Sequence, residues 1–234
     1  GWISLADYVA AMKDGQDAVF YIAGEDAEAA LASPQLEGFK AKGVEVLLMT
    51  DPVDEFWLSH VGAFQDKPFK SATRGGADLA KIAKAKDAEK DADGDADKAE
   101  DKPAAPGMDQ LIAAFKAALG DKVKDVRPSE RLTDSAVCLV ADDGDMDINL
   151  ERLLKQHKQL DGRNLAPRIL ELNPDHALVT KLAKLAQEKN AKDPALDDAA
   201  FLLLDQARIL EGEPVIDAQA FAKRLSKLMA KGLA

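Results

Sequence analysis

The sequence has 234 residues, enough for one large domain or two smaller domains that each bury a hydrophobic core. Hydrophobic residues make up 47% and charged residues 31%, a balance that is typical of globular proteins and argues against disordered and membrane-embedded chains. The formal net charge of −11 argues against nucleic-acid binding and against attachment to an anionic membrane, because both need basic surface.

Cys138 is the only cysteine, so no disulfide can form within the chain and a reducing compartment is expected. The sequence contains no signal peptide and no apolar run of about 18 residues, so we expect a cytoplasmic protein. It begins Gly1-Trp2-Ile3 without methionine, and its first residues already have the pattern of a fold. We therefore expect the chain to be a piece of a longer protein.

Residues 1–76 predict a small α/β subdomain. Ala18–Ala23 and Val44–Met49 have the composition of buried strands, and the helical stretches between them include Glu25–Ala32. Strand, helices and strand in this order predict a βαβ unit with parallel pairing. A nucleotide site is disfavoured, because the turn at Gly24 lacks the glycine-rich motifs that bind phosphate.

A linker is predicted for residues 77–107, where the composition changes. This segment holds nine acidic residues and six lysines, and its only large apolar residues are Leu79 and Ile82. Such a stretch cannot bury enough apolar surface to offset the entropy of ordering, so we expect it to be solvated.

Residues 108–234 predict an α+β domain with its strands first and its helices gathered at the end. The predicted strands are Val123–Arg127, Ala136–Val140 and Arg168–Leu172. The predicted helices are residues 108–119, Ile148–His157, a helix that starts at Asn173-Pro174, and two helices at the end of the chain. In the helix after Pro174, we expect Leu178, Leu182 and Leu185 to face inward.

The first of the two closing helices carries more apolar surface than one face can bury. Asp193 and Pro194 mark its start, and Gly212 marks its end. Phe201–Leu204 are four consecutive apolar residues, and at about 100° per residue they point to all sides of the helix. Such a helix must be enclosed, either by its own domain alone or also by a partner chain.

The last helix favours the partner chain. Asp217 has the position of its cap, and Phe221 and Leu225 begin an apolar stripe that lies opposite a basic face. Two antiparallel helices at the end of a chain can pack on their symmetry copies, so we predict an isologous homodimer with a four-helix bundle. The predicted interface residues are Phe201, Leu202, Leu203, Ala207, Leu210, Phe221, Leu225, Leu228 and Met229.

No catalytic residue and no metal site is predicted. The three histidines are not paired with further ligands at the spacing of a zinc site. The aspartates between 142 and 147 resemble the start of a calcium loop, but an EF-hand starting at Asp143 would need Gly and Glu where Ile148 and Leu154 stand. We expect a solvated acidic turn, which also favours the N-terminus of the helix that follows.

Two apolar clusters are open to two interpretations. One lies on the helix after the acidic turn, and the other is a run of adjacent residues on a short helix of the first subdomain. Either can belong to a core, or it can stay exposed as an adaptable surface for a partner. The clusters are Met146, Leu150, Leu153 and Leu154, and Phe56, Trp57 and Leu58.

Several long strings of the sequence, in the same order, resemble the heat shock protein 90 chaperones, specifically the bacterial HtpG type. They include SLADYVAAMKDGQDAVFYI from Ser4, KGVEVLLMTDPVDEF from Lys42, LGDKVKDVRPSERLTDSAVCLV from Leu119, LNPDHALV from Leu172 and LLLDQARILEG from Leu202. The resemblance covers nearly the whole chain except the linker. It implies that residues 1–76 end the middle domain and residues 108–234 form the C-terminal dimerisation domain.

The resemblance also implies where function lies. The family's ATP site and an assisting arginine lie in regions that precede this segment, so we expect no ATPase activity, cofactor or metal here, and ATP with Mg²⁺ in the full-length parent. The family's dimer forms through the last two helices. Its client-contacting surfaces correspond here to Phe56, Trp57, Met146, Leu150, Leu153 and Leu154.

The expected function is that of a fragment of an ATP-dependent molecular chaperone, which homodimerises and binds non-native client proteins through exposed apolar surface. A purely structural dimerisation module without client contacts is the alternative. The chain ends LMAKGLA, without the MEEVD tail of eukaryotic members, so tetratricopeptide co-chaperones are not expected. The acidic, alanine-rich linker also departs from the family, in which a helix more often joins these domains.

Overall fold

The computed structural model describes residues 3–24, 26–51, 53–74, 79, 81–82, 106–156, 166–189 and 191–232, without the side chains of residues 55, 56, 59 and 156. Its contacts divide the chain into two compact units. The first unit comprises residues 1–100 and 140–166, and the second comprises residues 101–139 and 167–234. The segment 140–166, which the sequence pattern assigned to the C-terminal domain, thus groups with the N-terminal residues.

The elements follow one another along the chain. The N-terminal elements are α1 (Leu5–Ala10), β1 (Val19–Ala23), α2 (Ala27–Ala32), α3 (Glu37–Lys42), β2 (Leu47–Met49), α4 (Asp54–Val61), β3 (Ala63–Phe64) and β4 (Lys67–Ser71). The later elements are α5 (Met108–Leu119), β5 (Asp125–Pro128), β6 (Val137–Val140), α6 (Ile148–Gln156), β7 (Ile169–Leu172), α7 (Ala177–Glu188), α8 (Pro194–Leu210) and α9 (Ala218–Gly232).

The first unit is built on a four-stranded sheet with the order β2-β1-β4-β3. Every residue of β1 is buried, as its apolar sequence predicts. β1 pairs with β2 in parallel, with Tyr21 opposite Leu47, which is the pairing that the βαβ pattern predicts. β1 also pairs in parallel with β4, whereas β3 and β4 form an antiparallel hairpin.

A buried tyrosine hydroxyl ties α1 to this sheet. The hydroxyl of Tyr8 donates to the carbonyl of Glu45 over 2.6 Å. It accepts hydrogen bonds from the backbone N–H of Phe20 and the side chain of Gln16, each over 3.1 Å. Burial raises the pKa of the Tyr8 phenol, so the group stays neutral and donates.

Two apolar residues near the start of the predicted linker belong to the core of the first unit. Leu79 and Ile82 are buried, and the ammonium of Lys42 donates to their carbonyl groups. Gly15, at a φ of +81°, lets this segment approach closely, because a Cβ there would lie 2.3 Å from the Lys81 carbonyl oxygen. Residues 83–105 of the predicted linker lie outside the described residues.

The second unit combines a three-stranded sheet, in the order β5-β7-β6, with helices α5, α7 and α8. β5 and β7 are parallel, with Val126 opposite Leu170. Leu111 and Phe115 of α5 lie at the centre of one hydrophobic core that also takes residues from all three strands. The predicted helix 108–119 is therefore confirmed, and the three predicted strands are observed with shifts of one or two residues.

Helix α7 starts later than the Asn173-Pro174 pair predicted. The Asn173 amide donates to the carbonyl of Ser135, and its oxygen accepts from the backbone N–H of Asp175, so this pair forms a turn. The helix begins at Ala177, where the imidazole Nδ1 of His176 accepts from the backbone N–H of Leu178. The predicted inward position of Leu178 was also wrong, because its side chain is 42% exposed.

A buried carboxylate links the strands of the second unit. Glu171, on the central strand β7, is 2% exposed. One of its carboxylate oxygens accepts hydrogen bonds from Nε and Nη2 of Arg127, over 3.0 and 2.7 Å. Its second oxygen accepts from the Ser129 hydroxyl over 2.9 Å and lies 3.2 Å from Nε of the equally buried Arg131. These contacts offset the cost of removing the charges of Glu171 and Arg131 from water.

We expect Glu171→Ala to lower the free energy of unfolding by about 3–5 kcal/mol, because it leaves the charge of Arg131 buried without its counter-ion. Urea denaturation followed by circular dichroism measures this loss. The control is Lys116→Ala, which removes the exposed ion pair with Asp125 and should change stability by only about 0–1 kcal/mol. Equal effects of the two substitutions would contradict the structural role of Glu171.

Candidate functional site

Helix α8 begins and ends where the sequence predicts. A carboxylate oxygen of Asp193 accepts from the backbone N–H of Ala195 over 2.8 Å, and Pro194 occupies the first helical position. The helix stops at Leu210, and Gly212 follows with a φ of +72°, a conformation that glycine adopts without strain.

The four consecutive apolar residues of α8 divide into two pairs. Leu203 and Leu204 are buried in the core of the second unit, whereas Phe201 and Leu202 are half-buried. Ala207 is buried with the first pair. Leu203 and Ala207, both predicted at the dimer interface, are therefore almost wholly enclosed by their own protomer, and the unit leaves the opposite side of α8 partly open.

Helix α9 packs on α8 through charged side chains. Asp198 of α8 pairs with Arg224 over 3.7 Å and with Lys227 over 2.5 Å, and the Arg224 guanidinium lies 4.1 Å from the centre of the Phe201 ring. Asp217 caps α9 as predicted, since its carboxylate accepts from two backbone N–H groups of the first turn. These contacts fix the helix without burying its leucines.

None of the described residues of α9 is buried, although the helix carries an apolar stripe. Leu225 is 38% exposed, and Leu228 and Met229 are each 57% exposed. Isolated exposed leucines are ordinary, but a row of them along one helix marks an interaction surface.

The leucines of α9 face an apolar groove, the terminal groove, between α7, α8 and α9. Its volume is about 510 Å³, and its lining includes charged residues, among them Lys227 and Lys231. The predicted interface residues that line it are Leu202, Leu203, Leu210, Phe221, Leu225 and Leu228. Leu178, Leu185 and Ile209 also line it but were not predicted there. The spacing of Leu178 and Leu185, two helical turns apart, was the available signal.

A buried carboxyl group lies where α8 meets the segment before α9. Asp205 is 3% exposed, and burial raises the pKa of its carboxyl group. The backbone N–H of Ile216, together with Arg224 and Arg208, offsets part of this effect by favouring the charged form. Because the pKa is raised in the folded state, this group contributes stability that is present at low pH and is lost as the pH rises through the folded pKa.

We expect Asp205→Asn to be more stable than the parent chain at pH 7, because the amide keeps an acceptor for Ile216 but carries no buried charge. The difference should vanish below about pH 3, where the carboxyl group is protonated in both states. Urea midpoints at several pH values measure it. The control, Asp198→Asn, should instead lower stability at pH 7, since it removes the partner of Arg224 and Lys227.

Helix α6 carries the second apolar surface, and two acidic side chains at or just before its first turn are buried. Asp147 and Glu151 are buried with Ile148. Leu150, Leu153 and Leu154 are half-buried, and Met146, just before the helix, is 37% exposed. We call these four apolar residues the leucine face. The apolar side of this helix is thus not its most deeply packed side.

Helix α4 presents the other predicted cluster differently. Leu58 is buried, and Trp57 is half-buried, with its indole N–H donating to Asp54 over 2.9 Å. The indole ring packs edge-on against Phe69, with 5.6 Å between ring centres. The side chain of Phe56 lies outside the described residues. Trp57 is therefore supported by the β4 strand and only partly available to a partner.

Two other kinds of feature are absent from the residues that the structure describes. Among them, no group of three or more His, Cys, Asp or Glu side chains could hold a metal ion. No helix in that part of the chain is long and apolar enough to cross a membrane. Cys138 is buried.

Comparison with known proteins decides the family. The sequence model described as "Hsp90 protein" matches residues 1–234, the whole chain. The chain belongs to the Hsp90 family. The resemblance found in the sequence strings is thereby confirmed, and the terminal groove and the leucine face are surfaces of an Hsp90-family protein.

Its bacterial relatives carry the name "Chaperone protein HtpG". The protein of Roseobacter denitrificans is 57% identical over 231 residues, which cover 98% of this chain and 36% of the relative. Those of Paramagnetospirillum magneticum and Mesorhizobium japonicum are 54% and 51% identical, over all of this chain and 36% and 35% of their own lengths. The chain thus spans about a third of the length of these Hsp90-family relatives.

Proposed function

We propose that this chain is the part of an Hsp90-family molecular chaperone that joins two protomers and presents apolar surface to non-native client proteins. The names of the bacterial relatives support the chaperone role. The terminal groove supports dimerisation, and the leucine face supports client binding. The observation that carries the proposal is the apolar stripe of α9, of which no described residue is buried.

A second copy of the chain is the occupant that best fits the terminal groove. Most of the residues that line the groove are apolar, and the lining also includes both an acidic residue, Asp198, and basic residues, among them Arg224. Two antiparallel helices with such a surface can pack on their symmetry copies, because in an isologous interface the same surface patch of each subunit contacts that of the other. The proposed product is a four-helix bundle of α8 and α9 from both protomers.

We expect the double substitution of Leu225→Ser and Leu228→Ser to convert the dimer into a monomer. Burying each leucine in an interface contributes about 1.5–3 kcal/mol, and twofold symmetry counts each side chain twice. Sedimentation velocity at micromolar concentrations measures the change. Leu31→Ser is the matched control, because Leu31 is 47% exposed on α2 and is not one of the residues that line the groove. A monomeric parent chain would refute the dimer proposal.

The leucine face is the proposed client site, with Trp57 and Phe56 as further contacts. A half-exposed row of leucines next to a methionine suits partners of varied sequence, because these flexible side chains adapt their packing. Each contact with an unfolded segment is weak. A dimer gains by offering two such faces, since binding to the second becomes an intramolecular event.

We expect Met146→Ser to weaken binding of an unfolded protein by about three- to tenfold, because it removes exposed apolar area equivalent to roughly 1 kcal/mol. Dimerisation should not change. Binding to reduced, carboxymethylated α-lactalbumin, measured by fluorescence anisotropy, tests this, again with Leu31→Ser as control. A chain that dimerises but neither binds this probe nor suppresses aggregation would be the purely structural module.

The expectations for the complete protein stay predictions. They are an ATP and Mg²⁺ site in the family's N-terminal region, a cytoplasmic location, and no tetratricopeptide co-chaperones.

A further inference from the structure

A chain of buried hydrogen bonds runs from the end of strand β4 to the start of helix α6, both in the first unit. The hydroxyl groups of Ser71 and Thr73 lie 3.0 Å apart, and the Thr73 hydroxyl donates to a carboxylate oxygen of Asp147 over 2.7 Å. All three residues are buried, and Thr73 and Asp147 are each 2% exposed. We call this chain the Thr73–Asp147 latch.

The latch connects the sheet to the helix through both oxygens of one carboxylate. Oδ2 of Asp147 accepts from Thr73, and Oδ1 accepts from the backbone N–H of Asn149, in the first turn of α6, over 2.8 Å. On the other side, the backbone N–H of Ala72 donates to Tyr21 of β1 over 2.7 Å. The N-terminus of α6 is thereby fixed to the most deeply buried part of the sheet.

The latch also explains which side of α6 faces inward. Asp147 lies in the interior, and two further residues are buried with it: Ile148, the next residue, and Glu151, one helical turn further along the same side. The leucine face then lies on the remaining surface of the helix. On hydrophobicity alone the leucines rather than the acidic residues would turn inward, so a specific polar contact must hold the observed rotation.

We propose that Thr73 and Asp147 are positioning residues for client binding: their buried hydrogen bond holds α6 in the rotation that presents the leucine face to apolar segments of unfolded proteins. This inference rests on the proposed client site. It adds a residue, Thr73, that lies 73 positions before Met146 in the sequence and does not belong to the leucine face.

The test compares Thr73→Val, which keeps the shape of the side chain but removes the donor, with Thr73→Ser, which keeps the donor. In the 234-residue chain, Thr73→Val should speed hydrogen exchange of the α6 amides by about tenfold or more, because a charge-assisted buried hydrogen bond is lost. It should weaken binding of reduced, carboxymethylated α-lactalbumin by about three- to tenfold, since the competent rotation is less populated. Thr73→Ser should restore both values to within about twofold.

Tyr8→Phe separates positioning from general stability. It removes another buried hydroxyl of the same unit, with partners at Glu45, Gln16 and Phe20, and does not touch the latch. It should lower the urea midpoint much as Thr73→Val does, yet leave α6 exchange and client affinity unchanged. Equal losses of affinity in both variants would overturn the positioning role.

Two further outcomes are decisive. If Thr73→Val speeds exchange in α6 but client affinity stays unchanged while Met146→Ser lowers it, the positioning role is refuted and the client site stands. If Met146→Ser also leaves affinity unchanged, the proposed client site itself fails. Should Thr73→Val not fold, Thr73→Ala gives the same test, because it also removes the hydroxyl donor to Asp147 and adds no atom at the buried site.

Discussion

The second unit depends on one geometric constraint, the four consecutive apolar residues of α8. A helix turns about 100° per residue, so one packing surface cannot cover Phe201, Leu202, Leu203 and Leu204 together. The core of α5, α7 and the sheet takes Leu203 and Leu204, and the other two side chains are left half-buried. Helix α9 covers them only in part, through Arg224 on the Phe201 ring. The terminal groove is the direct result of this partial cover.

Polar contacts, rather than apolar burial, determine how the exposed surfaces are held. Asp198 fixes α9 on α8 while its leucines stay outside, and Asp147 fixes α6 while its leucine face stays partly exposed. A buried or half-buried carboxylate with directed donors orients a helix more narrowly than leucine contacts do, because a hydrogen bond requires a defined distance and angle. Such contacts can thus keep an apolar helix surface exposed, so that the helix does not rotate to bury it in the nearest core.

Residues close together in the sequence predicted several helix ends correctly. The features that were not predicted depend on contacts between residues that are distant in the sequence. The cap at Asp193 and the stop at Gly212 depend only on nearby residues, so they were predictable. The start of α7 was not, because the Asn173 amide is bound by Ser135, 38 positions away. The role of Thr73 was not predictable either, because its hydrogen-bond partner, Asp147, is also distant in the sequence. The composition of residues 77–107 likewise concealed the burial of Leu79 and Ile82.

The separation of the two surfaces has a functional consequence. The terminal groove belongs to the second unit and the leucine face to the first, and different carboxylates hold them. In the proposed dimer, loss of the α9 leucines would therefore remove the partner without altering the leucine face of either protomer. Loss of the latch would alter each leucine face without removing the partner. The affinity for a client that contacts both copies would then fall with either change. In the proposed dimer, the second copy would raise the effective concentration of the second leucine face, whereas the latch would set the affinity of each face. Because these two factors would multiply, a weak individual contact would be sufficient for retention of an unfolded chain.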